Sequence, residues 1–340
     1  MAQNNLNQKL KNNLGSTTLA ELGEIELINR LSQFMDTNQI ENDTALIEPL
    51  KNEKLIINTD VLVENIHFSD KLSTPSDIGW KAITSNLSDL TCSGATKFLY
   101  FTIALIAPSS TSWKWVEGVY SGINEALKKY GGKLIGGDCS NGKQKILSIT
   151  AIGSQGPIEL NRSNAKAGDL IVSCGPHGLS QVGLLTLQNE DEIINLFSNS
   201  LKHIAIKSHR RPRPSVEALE ALIRSMPNSC LKVAGTDSSD GLLEAVKSIC
   251  RSSNCLAVLD QDNLPKHSYW PNNRDLDHLC LLGGEDYELI ICLPKNLANK
   301  LINEFPQSKI IGYMRKGEPK VIWKSGSEII LKNNLSFKHF

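Results

Sequence analysis

The chain has 340 residues, 40% of them hydrophobic and 21% charged, so it is long enough to bury a sizeable core and to form two domains. Lysine plus arginine and aspartate plus glutamate number 36 each, and this balance excludes the strongly basic surface typical of proteins that bind nucleic acids or acidic membranes. The longest apolar run, residues 98–107, is too short to span a bilayer and predicts a buried strand.

The cysteines and the N-terminal segment indicate the compartment. The eight cysteines are scattered without the paired spacing of a zinc site, which predicts buried thiols in a reducing environment. Residues 1–18 are polar, rich in asparagine and glutamine, and lack the apolar core of a signal peptide, which predicts a flexible leader. We therefore expect a cytoplasmic protein.

Helical and strand patterns alternate through the first half of the chain. Apolar residues at helical spacing predict a helix over 22–34, and Ser76 is predicted to be the N-cap of a second helix that ends near Gly94. The other predicted elements are a helix over 112–130 and strands over 54–64, 97–107, 133–137 and 145–154.

The loop-like segment 156–169 predicts a domain boundary. We predict an N-terminal domain over 19–157 and a C-terminal α/β domain over 158–340. The elements predicted in the second half are strands over 170–174, 231–236 and 255–259, and helices from Leu179 and over 190–208, 215–226 and 240–251. Because both halves mix helices and strands, the sequence predicts a two-domain α/β (α+β) fold.

Several aspartates lie at the ends of predicted strands or on the faces of adjoining helices. They are Asp43, Asp60, Asp89, Asp138, Asp237 and Asp240. Strand ends are where α/β folds build their sites, but each acid taken alone is equally explained by a helix cap or an Asx turn. Asp240 is the best placed to cap a helix, because the predicted helix begins with Gly241.

Convergence of these carboxylates would require a counter-charge. No run of lysines accompanies them, whereas carboxylate, hydroxyl and amide oxygens suit Mg²⁺, which commonly carries phosphates. Two glycine-rich segments, LIGGDCSNG from Leu134 and LLGGEDYEL from Leu281, predict turns, and the first exposes backbone N–H groups suited to phosphate oxygens. A simple tight turn remains the alternative, and no Walker, Rossmann or protein-kinase motif is present.

Six motifs occur in order along the chain: NTDVLVENIHF, KAITSNLSDLTCSGA, LIGGD, NRSNAKAGD, DSSDGL and GGEDYEL. In their order and approximate spacing they resemble the motifs of the thiamine-monophosphate kinase family. The resemblance implies the two-domain fold shared with aminoimidazole ribonucleotide synthetase and a homodimer paired through the N-terminal domains, with ATP near the interface. It also implies an enzyme that uses ATP and Mg²⁺ to convert thiamine monophosphate to thiamine diphosphate by direct in-line transfer, the last step of thiamine diphosphate biosynthesis.

The resemblance further implies roles for individual residues. The catalytic acids would be Asp60, Asp138 and Asp237. The Mg²⁺ ligands would be Asp43, Asn58, Thr59, Asp60, Asp89, Asp138, Asp237 and Asp240. The residues in contact with ATP would be Tyr120, Gly137, Asp138, Arg162 and Ser239, and those in contact with thiamine monophosphate would be His67, Glu285 and Phe337.

Three of these residues have simpler explanations. Without the family, Arg162 is typical of a surface arginine in a polar loop, His67 of an ordinary strand-end histidine, and Glu285 of a solvated turn. As site residues, Arg162 would pair with phosphate oxygens in a fork, and Glu285 would meet the cationic part of thiamine. No strong general base is needed, because an attacking phosphate monoester, with a second pKa of about 6, is already nucleophilic near neutral pH.

The sequence differs from the family pattern at three places. Glu41-Asn42 replaces the usual Gly-Asp before Asp43, Pro212-Arg213-Pro214-Ser215 replaces Pro-x-Pro-Arg, and Ser336-Phe337 replaces Gly-Tyr. Two alternative hypotheses about function stay open: another ATP-dependent enzyme of the same superfamily, or a catalytically silent protein that binds thiamine phosphate or nucleotide.

Overall fold

The computed structural model describes residues 17–35, 44–45, 47, 53–189, 191–226 and 231–329. Residues 1–16 of the predicted leader, Glu41-Asn42, Asp43 and Phe337 lie outside the described residues. The chain divides into two compact units, one within Met1–Asn86 and Lys97–Ser154 and the other within Leu87–Thr96 and Gln155–Phe340. The domain ranges drawn from the sequence stay a prediction.

The first unit is built on a four-stranded sheet whose strand order is β1-β4-β2-β3. Strands β1 and β4 pair antiparallel, β2 and β3 pair parallel, and β1 and β3 are therefore the edge strands. The elements are α1 (Leu19–Leu31), β1 (Leu55–Val63), α2 (Pro75–Cys92), β2 (Ala95–Ala107), α3 (Trp113–Tyr130), β3 (Lys133–Asn141) and β4 (Ile146–Gln155).

Helix α2 begins at Pro75, so the prediction that Ser76 is its N-cap was wrong. Thr74 precedes the helix, and its hydroxyl accepts the backbone N–H of Asp77 at 3.2 Å. In return the Asp77 carboxylate accepts the Thr74 hydroxyl at 2.8 Å and the Thr74 N–H at 3.2 Å. The reciprocal pair satisfies free N–H groups at the helix start, and proline suits the first helical position.

Helices α2 and α3 approach each other closely at two glycines. A Cβ atom at Gly79 would lie 1.9 Å from the carbonyl oxygen of Val119, and one at Gly122 would lie 1.9 Å from that of Ser76. Any side chain at either position would therefore force the two helices apart. This crossing fixes the relative position of the helices within the first unit.

The second unit is built on a seven-stranded, largely antiparallel sheet with the strand order β11-β8-β10-β6-β9-β7-β5. Its strands are β5 (Ile158–Leu160), β6 (Leu170–Ser173), β7 (Leu231–Asp237), β8 (Leu256–Leu259), β9 (Leu289–Leu293), β10 (Lys309–Arg315) and β11 (Val321–Trp323). Its helices are α4 (Leu179–Gln188), α5 (Asp191–Ile194), α6 (Asn199–Arg210), α7 (Val216–Ser225), α8 (Leu242–Ser253), α9 (Asp277–Leu282) and α10 (Lys295–Glu304).

The last turn of α2 belongs to the second unit. Cys92 lies there in a buried core cluster that includes Ile158 of β5, Val172 of β6 and Ile291 of β9. The same cluster contains apolar residues of α7 and α10, which cover this part of the sheet. Burial of Cys92 therefore ties residues 87–96 to the core of the second unit.

Two predictions from composition can be compared with the described residues. The apolar run 98–107 lies in β2, with alternate residues buried, so its assignment as a strand is confirmed. The seven cysteines that the structure describes form no disulfide, and all are buried except Cys139, which is half-buried. No helix in the described part of the chain is long and apolar enough to cross a membrane.

Candidate active site

Strand β1 presents its predicted site residues on two different faces. Side chains alternate along a strand, so Asn58 and Asp60 share one face and Thr59 lies on the other. The Asn58 amide donates to the Asn86 side-chain oxygen on α2 at 3.2 Å, whereas the Thr59 hydroxyl lies 2.9 Å from that of Thr150 on β4. The side chains of Asn58 and Asp60 therefore point away from that of Thr59.

Strand β3 confirms the strand predicted over 133–137 and continues to Asn141, so the interpretation of the following residues Asp138 to Asn141 as a turn was wrong. Residues Leu134 to Asn141 pair with β2, and the register shifts between Phe101 and Thr102. A Cβ atom at Gly137 would lie 2.0 Å from the carbonyl oxygen of Ile103. Glycine is required there because the two strands approach so closely, which is a packing requirement that a single sequence does not reveal.

A cavity of about 400 Å³ in the first unit brings three predicted residues together. Tyr120, Gly137 and Asp138 all line it, together with residues of α1 and the described residues Thr44 and Ala45. Tyr120 is buried, which raises the pKa of its hydroxyl, and its ring centroid lies 5.6 Å from that of Phe34. The volume is within the range of small-molecule sites.

Asp60 and Asp138 are far apart in the first unit. They lie on β1 and β3, the two edge strands, with β4 and β2 between them. Three interstrand spacings amount to about 14 Å, which is too far for both carboxylates to bind one ion within a single unit.

His67 follows β1 in a short loop that fixes the orientation of its ring. The backbone N–H of Val63 donates to His67 Nδ1 at 3.0 Å. Nδ1 is therefore an acceptor, and the neutral ring carries its proton on Nε2. The predicted substrate-binding histidine thus has a defined tautomer, in which Nε2 is a hydrogen-bond donor.

In the second unit, Asp237 ends strand β7 as a buried carboxylate that is 5% exposed. The Ser88 hydroxyl donates to its Oδ2 at 2.9 Å, and the Ser239 hydroxyl donates to its Oδ1 at 3.3 Å. Burial raises the pKa of the Cys92 thiol, and the charges of Asp237 and Asp89 raise it further. The structure therefore brings Asp89, Asp237 and Ser239 into one region of the second unit.

The segment GGEDYEL lies against the segment DSSDG. The backbone N–H of Glu285 donates to the carbonyl oxygen of Ser239 at 2.7 Å, and that of Glu288 donates to the Ser238 hydroxyl at 3.1 Å. Glu285 has a φ of 64°, which turns the chain sharply at this contact. Two motifs about 45 residues apart along the chain are thus joined by hydrogen bonds.

Arg162 and Asp240 lie at the surface of the same unit. Arg162 Nε donates to the hydroxyl of Thr236, which directly precedes Asp237, at 3.0 Å.

Helix α8 begins at Leu242 with Gly241 as its N-cap, and no side chain caps it. The interpretation of Asp240 as a helix cap was therefore wrong, and Asp240 is exposed.

The sequence interpretation missed two buried acids that follow Glu285. Burial raises the pKa of Asp286 to about 7, although its carboxylate accepts the backbone N–H groups of Gly178 and Ser180. Burial also raises the pKa of Glu288 to about 8, and the Ser215 hydroxyl donates to Glu288 Oε2 at 3.0 Å. The sequence held one indication of Glu288, because its partner Ser215 ends the proline-rich turn at the position where the family usually has arginine.

The donor atoms fit Mg²⁺ in their chemistry. The Asp237 carboxylate accepts two hydroxyl groups, and Asn58 and Asp60 offer amide and carboxylate oxygens on one face of β1. Hard cations prefer such oxygen ligands. Within the described residues, however, no group of three or more histidine, cysteine, aspartate or glutamate side chains is placed to hold an ion.

Comparisons with known proteins agree over nearly the whole chain. A family model described as "AIR synthase related protein, N-terminal domain" matches residues 41–155. The thiamine-monophosphate kinase of Prochlorococcus marinus is 52% identical over 325 residues, covering 95% of this chain and 97% of its own length.

Two solved structures have similar folds. Thiamine-monophosphate kinase from Stenotrophomonas maltophilia K279a has a TM-score of 0.73 at 29% identity, covering 88% of this chain and 96% of that chain. A structure described as AaThiL complexed with AMPPCP and TMP has a TM-score of 0.71 at 28% identity, covering 95% of this chain and 99% of that chain. The predicted α/β fold of the aminoimidazole ribonucleotide synthetase type is thereby confirmed.

Proposed function

Because this chain belongs to the thiamine-monophosphate kinase family, we propose that it transfers the γ-phosphoryl group of ATP to thiamine monophosphate and forms thiamine diphosphate. The observation that carries this proposal is the 52% identity to a curated kinase over 95% of the chain. A similar structure that holds an ATP analogue together with TMP supports the same pair of substrates.

Each substrate has candidate residues with suitable chemistry. The cavity lined by Tyr120, Gly137 and Asp138 is a candidate for part of the ATP site. Arg162, in the second unit, presents its guanidinium to phosphate oxygens while Nε is held by Thr236. Ser239, beside Asp237, completes the predicted set for ATP.

The second substrate carries a phosphate and a cationic ring. His67 offers its Nε2–H to a phosphate oxygen, since Nδ1 is occupied by the Val63 N–H. Glu285 offers a carboxylate to the cationic ring, and its backbone is fixed by the Ser239 carbonyl. Phe337 stays a predicted contact outside the described residues.

The metal ligands proposed from the motifs include Thr59, although its side chain lies on the other face of β1 from those of Asn58 and Asp60. The full set is Asp43, Asn58, Thr59, Asp60, Asp89, Asp138, Asp237 and Asp240. Mg²⁺ held there would neutralise negative charge on the phosphates during transfer. The protein groups orient the acceptor phosphate in line with the γ-phosphoryl group, and no general base is required because that phosphate is already nucleophilic.

We also propose a homodimer that pairs through the sheet of the first unit. Three apolar residues on one face of the edge strand β1 are exposed: Leu55 by 52%, Ile57 by 65% and Val61 by 43%. An apolar row of this kind is typical of a covered surface. A second copy of the chain would cover this apolar row.

We also propose a cytoplasmic location, which agrees with the free thiols of the described cysteines.

Mass detection of the product tests the proposed function. The purified full chain is incubated with ATP, Mg²⁺ and thiamine monophosphate, and thiamine diphosphate is the expected product. Free thiamine serves as the control acceptor and should give none. Tight binding of thiamine monophosphate without product would indicate a silent binding protein, and ATP turnover only with aminoimidazole precursors would indicate another enzyme of the superfamily.

A further inference from the structure

One lysine holds both ends of the loop that carries His67. Lys145 Nζ lies 3.0 Å from Glu64 Oε1 and also contacts the Asp70 carboxylate. Glu64 precedes His67 by three residues, and Asp70 follows it by three. A single ammonium group therefore fixes the start and the end of the loop.

Two further sets of contacts strengthen this arrangement, which we call the Lys145 anchor (Lys145, Glu64, Asp70 and Trp115). The backbone N–H of Glu64 donates to the Lys145 carbonyl at 2.9 Å, and the Lys145 N–H donates to Glu64 Oε2 at 3.3 Å. Trp115 Nε1 donates to Asp70 Oδ1 at 2.9 Å, and Lys145 Nζ lies 5.0 Å from the centroid of the same indole. The loop is thus attached both to the residue that precedes β4 and to α3.

The Lys145–Glu64 pair of the anchor is largely shielded from water, unlike an ordinary surface ion pair, whereas the Asp70 side chain is 42% exposed. The side chains of Lys145 and Glu64 are 14% and 19% exposed, and Trp115 is buried. Burial lowers the pKa of Lys145, but its hydrogen bonds to Asp70 and Glu64 together raise it, so the ammonium stays charged. The Lys97–Glu53 pair of the same unit is the contrasting case, because the Lys97 side chain is 61% exposed.

The imidazole of His67 depends on contacts of both its ring and its backbone. Val63 N–H holds Nδ1, Asn65 has a φ of 63°, and Lys81 Nζ donates to the His67 carbonyl oxygen at 3.4 Å. The ring is thus held by the end of β1, while the His67 backbone lies in the loop, so displacement of the loop would pull the imidazole from this contact and displace the Nε2–H donor.

We propose that Lys145 is a positioning residue for His67, which it holds where the imidazole meets the phosphate of the acceptor substrate; this rests on the proposed function of His67. Lys145 itself contacts no substrate in this arrangement. Its contribution is selective for the acceptor, because the loop it fixes carries none of the residues proposed to contact ATP.

The first test compares Lys145→Met with the control Lys97→Met. Lys145→Met should raise KM for thiamine monophosphate about tenfold while KM for ATP and kcat stay within about twofold, because a small misplacement weakens one contact. Lys97→Met should leave all three constants unchanged. Equal increases in both Michaelis constants, or no change in either, would overturn the proposal.

A double-mutant cycle with His67→Ala separates positioning from a general structural role. In the His67→Ala background, Lys145→Met should have no further effect on KM for thiamine monophosphate, since the group it positions is gone. The same tenfold increase in that background would show that Lys145 acts independently of His67 and would overturn the proposal.

A second variant and a binding measurement cover the cases in which Lys145→Met does not fold or the wild type is inactive. If Lys145→Met fails to fold, Asp70→Asn opens the same anchor at a more exposed position and is put through the same cycle. If the wild-type chain forms no thiamine diphosphate, the proposed function fails on its own. Calorimetric binding of thiamine monophosphate to the wild type and the same variants then replaces KM, and an unchanged dissociation constant in Lys145→Met overturns the proposal.

Discussion

Asp60 and Asp138 lie on opposite edge strands of one four-stranded sheet, with two strands between them. The motifs that contain Asp60 and Asp138 nevertheless predict that both carboxylates bind Mg²⁺ at the phosphates. One chain cannot place both carboxylates on one ion across about 14 Å, so a shared ion would need Asp60 from one copy and Asp138 from another. The proposed homodimer would supply that arrangement.

Mixing two inactive variants tests for a site shared between copies. Asp60→Asn and Asp138→Asn should each abolish turnover alone. After subunit exchange, half of the dimers are mixed, and each has one intact site and one doubly altered site, so about a quarter of the wild-type rate should return.

A steady-state assay before and after exchange, with each variant exchanged against itself as the control, measures this recovery. Persistent inactivity of an exchanged mixture, in which mixed dimers are verified by mass, would place both acids in a site within one chain or in different sites.

Ile57→Lys should disrupt the homodimer. Ile57 is 65% exposed on the outer face of β1, so the substitution should change the free energy of unfolding by no more than about 0.5 kcal/mol, while a buried lysine would oppose pairing. Light scattering after size exclusion should show a monomer. Leu196→Lys, an equally apolar exposed position of the second unit, is the control and should remain dimeric.

Asp237→Asn should reduce kcat by about 10²-fold or more, because it removes a buried negative charge while keeping the size of the side chain. The Ser88 and Ser239 hydroxyls can still hydrogen-bond to the amide, so the melting temperature should change little. The matched control is Asp262→Asn, whose carboxylate is paired with Arg274 at the surface. A near-normal rate at saturating Mg²⁺ would mean that Asp237 is only structural.

His177 should contribute less to stability under acidic conditions. It is fully buried, and burial lowers its pKa from 6.5 to about 4. The unfolded chain therefore binds a proton at His177 between these values that the folded chain does not, so the contribution of His177 to the free energy of unfolding falls as pH falls from 6.5 to 4. The raised pKa values of Asp286 and Glu288 act in the opposite direction, so the contribution of His177 is measured as a difference between wild type and variant.

Urea unfolding at about pH 7 and about pH 4 measures this contribution. Between these pH values, wild type should lose on the order of 3 kcal/mol of the free energy of unfolding relative to His177→Leu. His203→Leu, at an exposed position, should show no such change relative to wild type. A difference between wild type and His177→Leu that stays constant with pH would show that His177 makes no such contribution.

Local patterns were sufficient for most helices and strands. The apolar run of β2 and the helical spacing of α3 identified those elements because a strand or helix formed by strongly patterned residues depends little on the rest of the chain. The start of α2 was misjudged because Ser76 and Thr74 are both good caps, and only the reciprocal hydrogen bonds with Asp77 distinguish them.

Long-range packing determined what the sequence could not predict. Gly137 was included both in a predicted strand and in a glycine-rich turn, whereas the reason that glycine is required there is the close approach of Ile103 on the neighbouring strand. The separation of Asp60 from Asp138 follows from the strand order, which differs from the chain order. The burial of Asp286 and Glu288 likewise depends on Gly178, Ser180 and Ser215, which are distant in sequence.

The contact between α2 and α3 has a consequence for mutational screening. Gly79 and Gly122 have no side chain that could meet a ligand, yet a larger residue at either one would wedge apart the helices that bear Asn86 and Tyr120. Consider a library of random variants selected for growth in cells that must make their own thiamine diphosphate. Substitutions at these two glycines should be lost from it as strongly as substitutions at the aspartates proposed to bind Mg²⁺. The positions at which substitution inactivates the protein would therefore include the contact between α2 and α3 as well as the residues proposed to bind substrates and metal.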